Sequence, residues 1–587
     1  MKRKCLAARL SKIKMKKLSF IISMLVLPLT TIQAQDIIKH RQFPQNYFRR
    51  PMDIAPQASG SFGELRATHF HGGDDYRTQQ KINIPVYAVA DGFVSRIRVQ
   101  IGGGGNSVYL DHPNGYTSVY LHLESFNEEL NALIKVEQYK QQRFDVDVFL
   151  KPGQFTLKKG QLLAHSGNTG GSAGPHLHFE IRDTKQQLPF NTQLFGLTFP
   201  DETKPIIRGL TVYDLADPIF DENTPRRHQT VKALANGNYS LTVNTPISVN
   251  GKFGLGINTV DRRKGVSFTY GVYSIELFLD NKKISTVLFE SIPFDKTRAI
   301  HSYIDYPYWK KSKVRVQKSF KQPGNPIEIY ENLDNNGIME LKDDQLHQVR
   351  YVVKDVQGNT TEINFEVKRD ANYTVRNTPS SSGKSFNYLM DNVYQAENAK
   401  ITIPKNTLYD NLNFTYSETE GPVNAYSQLH RIHNIFTPVF GSYSLSIRPN
   451  EKLSAALFSK ALLVSKDGGS QGGKYENGLV TATVRSFGDF YIAVDTVAPT
   501  ITARNLVNNK NVAAQRQIDF TISDNLSGIQ SFNAYIDGAW VLMQYDSKNR
   551  HLWHTFESNL KGGKHSFKLE VKDWKDNVRV YEASFTR

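Results

Sequence analysis

The stretch Gly174-Pro175-His176-Leu177-His178-Phe179-Glu180-Ile181-Arg182 limits the fold more than any other. Leu177, Phe179 and Ile181 alternate with His176, His178, Glu180 and Arg182, a period of two that specifies a half-buried strand. The apolar set faces a core, so His176, His178 and Glu180 share the opposite face. Three ionisable groups in a row suit a cleft floor; inside a packed core each would need its own partner. Similar Val-, Ile-, Thr- and Tyr-rich alternation recurs along the chain, broken by 40 glycines and 24 prolines. The expected class is therefore mainly β. At 587 residues the chain is too long for one core, and three to five domains are expected.

The first 34 residues read differently. Residues 1–17 carry eight Lys or Arg and no acid, Leu18–Leu29 is uncharged and apolar, and Ile32-Gln33-Ala34 suits cleavage before Gln35. This is the pattern of a secretory signal peptide, with an apolar part too short for a comfortable membrane span. Met15 is an alternative start to Met1. No later apolar run reaches spanning length, so the expectation is an exported chain with no integral membrane segment after cleavage, in the periplasm, the cell envelope or outside the cell. The only cysteine, Cys5, leaves with the signal, which rules out disulfides and a thiol nucleophile. Losing eight bases and no acid lowers the formal net charge from +16 to +8. A mildly basic exported protein is drawn to anionic envelope surfaces. Nucleic acid is not the expected partner, since no basic block is interleaved with aromatics.

Residues 35–60 read as an extended lead-in, and 61–198 as short strands with glycine turns. There Val86–Val99 and Asn106–His112 flank Gly102–Gly105, a hairpin turn with flexibility to spare. Thr117–Phe126 is a further strand, and 126–142 the one convincing helical stretch of this region. Beyond Pro200 a repeat appears. Gly271–Asn281 matches Gly528–Gly538, and VKDVQGNTTEINF (353–365) matches VKDWKDNVRVYEASF (571–585). Two copies of an immunoglobulin-like β-sandwich follow, at 199–370 with an insertion near 296–345, and at 496–587. Between them 371–495 is a third β-rich module, with joints at Ser380–Gly383 and Gly468–Gly473. Nothing in 199–587 forms a catalytic cluster.

Chemistry concentrates in 61–198. His71 and Asp75 are four apart, but Gly72-Gly73 between them makes a tight loop, not a helix. His122 lies in a strand, and His176 and His178 in another. Without cysteine, His71, Asp75 and one of the two H-x-H histidines would make an open His₂Asp shell, the kind a hydrolytic zinc uses. Asp74 is the nearest competitor to Asp75. Glu180 reads as a solvated strand-end carboxylate, His69 as a candidate supporting group, His112 and His165 as structural residues, and Tyr120 as sheet packing.

His71-Gly72-Gly73-Asp74-Asp75 fits an H-x-G-x-D ligand motif. With NSVYLDHPNGYTSVYLHL and GQLLAHSGNTGGSAGPHLHFEIR in the same order, residues 62–190 resemble the LytM/lysostaphin-type zinc endopeptidases of bacterial cell-wall metabolism. The resemblance implies a small antiparallel β peptidase domain with a groove. It also implies Zn²⁺ held by His71, Asp75 and His178, with His122 and His176 as catalytic histidines. Either could be the general base. The long segment between His122 and the closing block departs from the pattern.

The function expected is an exported zinc endopeptidase that hydrolyses peptide cross-links of peptidoglycan with a zinc-activated water. The β modules would position it or meet envelope proteins. The alternative is a non-catalytic wall-binding, hydrolase-regulating or adhesin-like surface protein on the same scaffold. That protein should lack ligands which this chain retains.

Overall fold

A computed structural model describes residues 37–374 and 383–587. The signal-peptide reading of 1–34 and most of the Ser380–Gly383 joint lie outside them. The described chain is mainly β throughout, with strands in every unit and few helical turns. Among the described residues no helix is long and apolar enough to cross a membrane.

The N-terminal unit is built on strands β1 (Asp74–Arg77), β2 (Gly92–Val99), β3 (Asn106–Asp111), β4 (Tyr116–Phe126), β5 (Leu162–Ser166) and β6 (His176–Asp183). Its main sheet runs β1-β6-β4-β3-β2, with Ala58–Gly60 on the β1 edge and Val146–Phe149 on the β2 edge. All these neighbours are antiparallel. β6 is central: His178 pairs with Asp75 on one side and Leu121 on the other. Leu177, Phe179 and Ile181 enter the core, as period-two alternation requires. The lead-in docks on this core too, burying Phe43, Phe48 and Met52.

The helix α1 (Glu128–Gln141) follows β4. Asn127 caps it through the Leu130 amide, Glu128 and Glu129 meet the positive end of its dipole, and Gln142 ends it in the left-handed region. Leu130 and Ile134 pack on the sheet. The outer face meets the C-terminal unit, with Tyr139 edge-on to Trp540 at 5.2 Å and Lys135 2.9 Å from Glu557. The segment that departs from the family pattern thus forms a docking face and does not wall the groove.

The repeat seen in the sequence is a repeat of hairpins. Ser274–Leu279 pairs with Lys282–Leu288 and Leu346–Lys354; Ile529–Ile536 pairs with Ala539–Val541 and Lys564–Asp573. At the matching turns, Asp280 and Asp537 each take a positive φ. Each accepts one backbone amide, of Gln348 or Ser566, and bonds one histidine, His347 or His565. Each copy has two sheets facing over apolar residues. A separate β unit with its own core fills 383–495.

The N-terminal unit and the first copy share their cores. Tyr270 and Tyr273 pack among the residues around Phe179, while Phe62 and Phe70 pack among those around Tyr303.

Candidate active site

β6 carries two groups into a groove of about 760 Å³ that runs along its polar face. The loop from His71 to Asp75 brings the others. Gly73 is where that loop passes closest to β6. A Cβ there would lie 2.4 Å from the Phe179 carbonyl oxygen and 2.9 Å from His178 Nε2. Only glycine lets the chain through.

Three donor atoms meet at one point. His71 Nε2 is 3.0 Å from Asp75 Oδ1 and 3.0 Å from His178 Nδ1, and His178 Nδ1 is 2.9 Å from Asp75 Oδ1. All three residues are buried. The far atom of each is fixed. His71 Nδ1 is 2.8 Å from the Ser61 carbonyl, which can only accept, so the proton is on Nδ1. His178 Nε2 is 2.8 Å from Glu180 Oε1, which places its proton on Nε2. Asp75 Oδ2 accepts from Arg66 Nη2 at 2.9 Å. What converges is therefore two bare imidazole nitrogens and a carboxylate oxygen, three acceptors that call for a cation. Nitrogen and oxygen donors with the outer ring N–H groups engaged fit Zn²⁺.

Glu180 is not a solvated strand end. It is 2% exposed, and its second oxygen accepts from Arg182 Nε at 2.6 Å. Burial alone would raise its carboxyl, but Arg182 and His178 outweigh burial and hold it near 2. Arg182 is itself held over the Phe294 ring, 4.2 Å from its centroid.

His122 and His176 stand together beyond the trio, ring centroids 4.9 Å apart. His176 Nε2 is 3.4 Å from Asp75 Oδ1. His122 Nδ1 donates to the Thr169 carbonyl and His176 Nδ1 to that of Gly174, each at 2.8 Å, which leaves both Nε2 atoms as acceptors. Burial, followed by the charges of His178 and His176, pushes His122 down to about 3, so it is neutral across the physiological range. His122 reaches this face by breaking the alternation. Leu121 pairs with His178 and shares its face, so a regular strand would send His122 into the core. Its φ of 61° turns it back, at the point where β4 passes from β6 to β5.

The Gly102–Gly105 turn is a fitted part of this arrangement, not a slack loop. Gly104 accepts the His122 amide at 2.8 Å, and a Cβ on Gly105 would lie 2.5 Å from the Thr169 carbonyl carbon.

The remaining residues fall away from the centre. Asp74 points into the core and bonds Thr192 and Gln193. His69 is exposed at the groove rim and bonds Thr68 at 3.1 Å. His112 bonds Asp91 and Ser118, His165 bonds Ser125, and Tyr120 is buried. Phe268, Phe294 and Thr297, from beyond Pro200, line the groove. No pattern in the residue types marks these three, because only the docking of the next unit brings them there.

The model of peptidase family M23 matches this chain over residues 69–142 and 139–190. Residues 69–190 form a peptidase family M23 domain. The stretch 383–495 matches the Zu5-like domain. An uncharacterized metalloprotease of Haemophilus influenzae is 39% identical over 111 residues, 19% of this chain and 18% of its own length. The DD-carboxypeptidase/endopeptidase Mpg of Neisseria meningitidis is 31% identical over 140 residues, 24% of this chain and 26% of its own. This chain thus spans about a fifth to a quarter of the length of these relatives. A solved zinc-containing peptidase from Vibrio cholerae shares 28% identity, covering 27% of this chain and 41% of that one at a TM-score of 0.19. The residues matched by the M23 model include all three members of the donor trio.

Proposed function

We propose that this chain is an exported zinc-dependent endopeptidase that hydrolyses peptide cross-links of bacterial peptidoglycan. The observation that carries the reading is the trio His71 Nε2, Asp75 Oδ1 and His178 Nδ1, with both ring protons drawn outward and two further imidazoles alongside. His71, Asp75 and His178 would hold the ion, and Zn²⁺ bound there supplies Lewis acidity and makes water acidic enough to attack at neutral pH. The groove admits an extended peptide beside His122 and His176. One of these accepts the proton of the attacking water at Nε2 and passes it to the amine that leaves. The other, when its Nε2 carries a proton, donates to the carbonyl oxygen as that oxygen gains charge. The substrate class rests on relatives named peptidoglycan DD-endopeptidases, among them ShyB of Vibrio cholerae, and on the basic mature chain. Export rests on the leader pattern of residues 1–34.

The test is mass spectrometry of fragments released from purified sacculi by the metal-loaded chain and by His178→Ala. The wild type should release peptides newly cut at cross-links, with about one zinc per chain by elemental analysis. The variant should release none and carry less than a tenth of the zinc. Equal release by both proteins would overturn the proposal.

A further inference from the structure

Away from the groove, two clusters of three aspartates occupy matching places in the two repeated units. Oxygens of Asp201, Asp261 and Asp355 lie within 4.8 Å of one another, and so do those of Asp495, Asp524 and Asp573. Asp201 and Asp495 each stand four residues before a proline, Pro205 or Pro499, that leads into the unit's first strand (Ile206–Asp214, Thr500–Ala503). Asp261 and Asp524 each follow directly on the strand paired with it (Lys252–Val260, Gln517–Ser523). Asp355 and Asp573 each accept the backbone and side-chain amides of the asparagine four residues on, Asn359 or Asn577.

A second observation points to a ligand. Asp261 is 3% exposed, and its Oδ1 is buried with no hydrogen-bond partner. Oδ1 of its counterpart Asp524 is orphaned in the same way. A cavity of about 10 Å³ lies against Asp201, Asp261 and Asp355. Gln193, just beyond the M23 match, lines it too, and its Oε1 is also buried without a partner. Buried acceptors are seldom left empty-handed, and here the same atom is orphaned in both repeats.

The nearby protein cations do not balance three carboxylates. Arg263 Nε approaches Asp201 alone, at 3.4 Å. Lys575 turns its ammonium to the carbonyls of Ala461 and Gly473, at 2.6 and 2.8 Å.

We propose that each aspartate cluster binds one Ca²⁺. Clustered carboxylates suit this ion, which accepts six to eight oxygens in flexible geometry; Mg²⁺ demands a tighter octahedron. Both sites sit at joints. The first lies where the M23 domain meets the first repeat, and Gln193 and Thr192 beside it bond Asp74, the neighbour of Asp75. The second includes Asp495, the last residue of the Zu5-like match. The ions would stiffen both joints and hold the groove wall in place.

The test uses the full chain loaded with zinc, dialysed against ⁴⁵Ca²⁺ at 2 mM, and does not depend on peptidase activity. The wild type should bind two Ca²⁺ per chain, Asp261→Asn and Asp524→Asn one each, and the double variant none. Melting of the wild type should rise by at least about 3 °C in Ca²⁺ over Mg²⁺. Should Asp261→Asn not fold, Tb³⁺ titration of the wild type decides. Emission sensitised by Tyr273 and Trp574 should appear and be displaced by Ca²⁺. No bound Ca²⁺, binding unchanged in the double variant, or Tb³⁺ emission that is absent or not displaced overturns the proposal.

Discussion

His71 Nε2 and His178 Nδ1 face each other at 3.0 Å, and with both rings neutral no proton lies between them, because Ser61 and Glu180 hold the ring protons on the far sides. Two lone pairs at that distance repel, and Asp75 Oδ1 adds a negative charge to both. The fold relieves this with a second proton on His178, which Asp75 and Glu180 push up to about 9 against its burial, or with a metal ion in that proton's place. Its supports are therefore as telling as the donors themselves.

Glu180 is the first support to test. Glu180→Gln keeps the shape but removes the charge that opposes His178 Nε2–H and Arg182. Zinc affinity should fall about 10–100-fold, and saturating zinc should restore most of the activity. Competition with a chromophoric chelator measures the first, and peptide hydrolysis against added zinc the second. Unchanged affinity would show that Glu180 does not act through His178.

The two other imidazoles should separate chemistry from metal binding. His122→Ala and His176→Ala should each keep about one zinc per chain and lose about 10²–10⁴-fold in kcat/KM. His122 carries a second demand, its left-handed backbone. His122→Asn should melt close to the wild type, since asparagine tolerates that region, whereas His122→Val should melt several degrees lower. Equal melting of the two variants would remove the strain argument.

That backbone also marks where the sequence stops being legible. Alternation shows which residues of β6 face the core, because every one of them obeys period two. The same rule misplaces His122, whose kink leaves no mark in the residue types around it. Glu180 looks like a solvated strand end until the loop carrying Phe294 closes over Arg182. The hairpin repeat is readable because its turn aspartates and asparagines fall at fixed spacing. The aspartate trios are not, since residues 29 to 154 positions apart meet only through pairing across the sheets.

Acid should loosen the wall of the groove. His301 Nε2 donates to the Ala67 carbonyl across the joint between the M23 domain and the first repeat. Burial, helped by the charges of Arg298 and Lys310, lowers it to about 4 from its ordinary 6.5. The unfolded chain therefore binds this proton at a higher pH than the folded one. Stability from this group is complete above 6.5 and drains away as pH falls towards 4, by about 2–3 kcal/mol. Burial likewise brings His430 and His433 to about 4, with the same sign. The melting temperature should fall steadily between pH 6.5 and 4, and less steeply in His301→Gln. A melting temperature flat over that window would refute the sign.

Cutting the chain after residue 198 tests whether the M23 domain stands alone. Tyr270 donates to the Ala58 carbonyl at 2.9 Å and Tyr273 to that of Ile38 at 2.6 Å, and both rings fill the core beneath β6. Removing them strips two large aromatics from that core, each worth about 3–5 kcal/mol by analogy with large-to-small substitutions. It also exposes Phe62 and Phe70, which pack on the other side of the joint. Residues 37–198 should therefore aggregate or melt at least about 15 °C below the full chain, and lose activity in step with folding. In the intact chain, Phe294→Ala should raise KM several-fold while zinc content holds, because the ring walls the groove without touching the donor atoms. A soluble fragment with full melting temperature and full activity would mean that the shared cores add nothing the domain needs. The groove would then be the work of residues 37–198 alone.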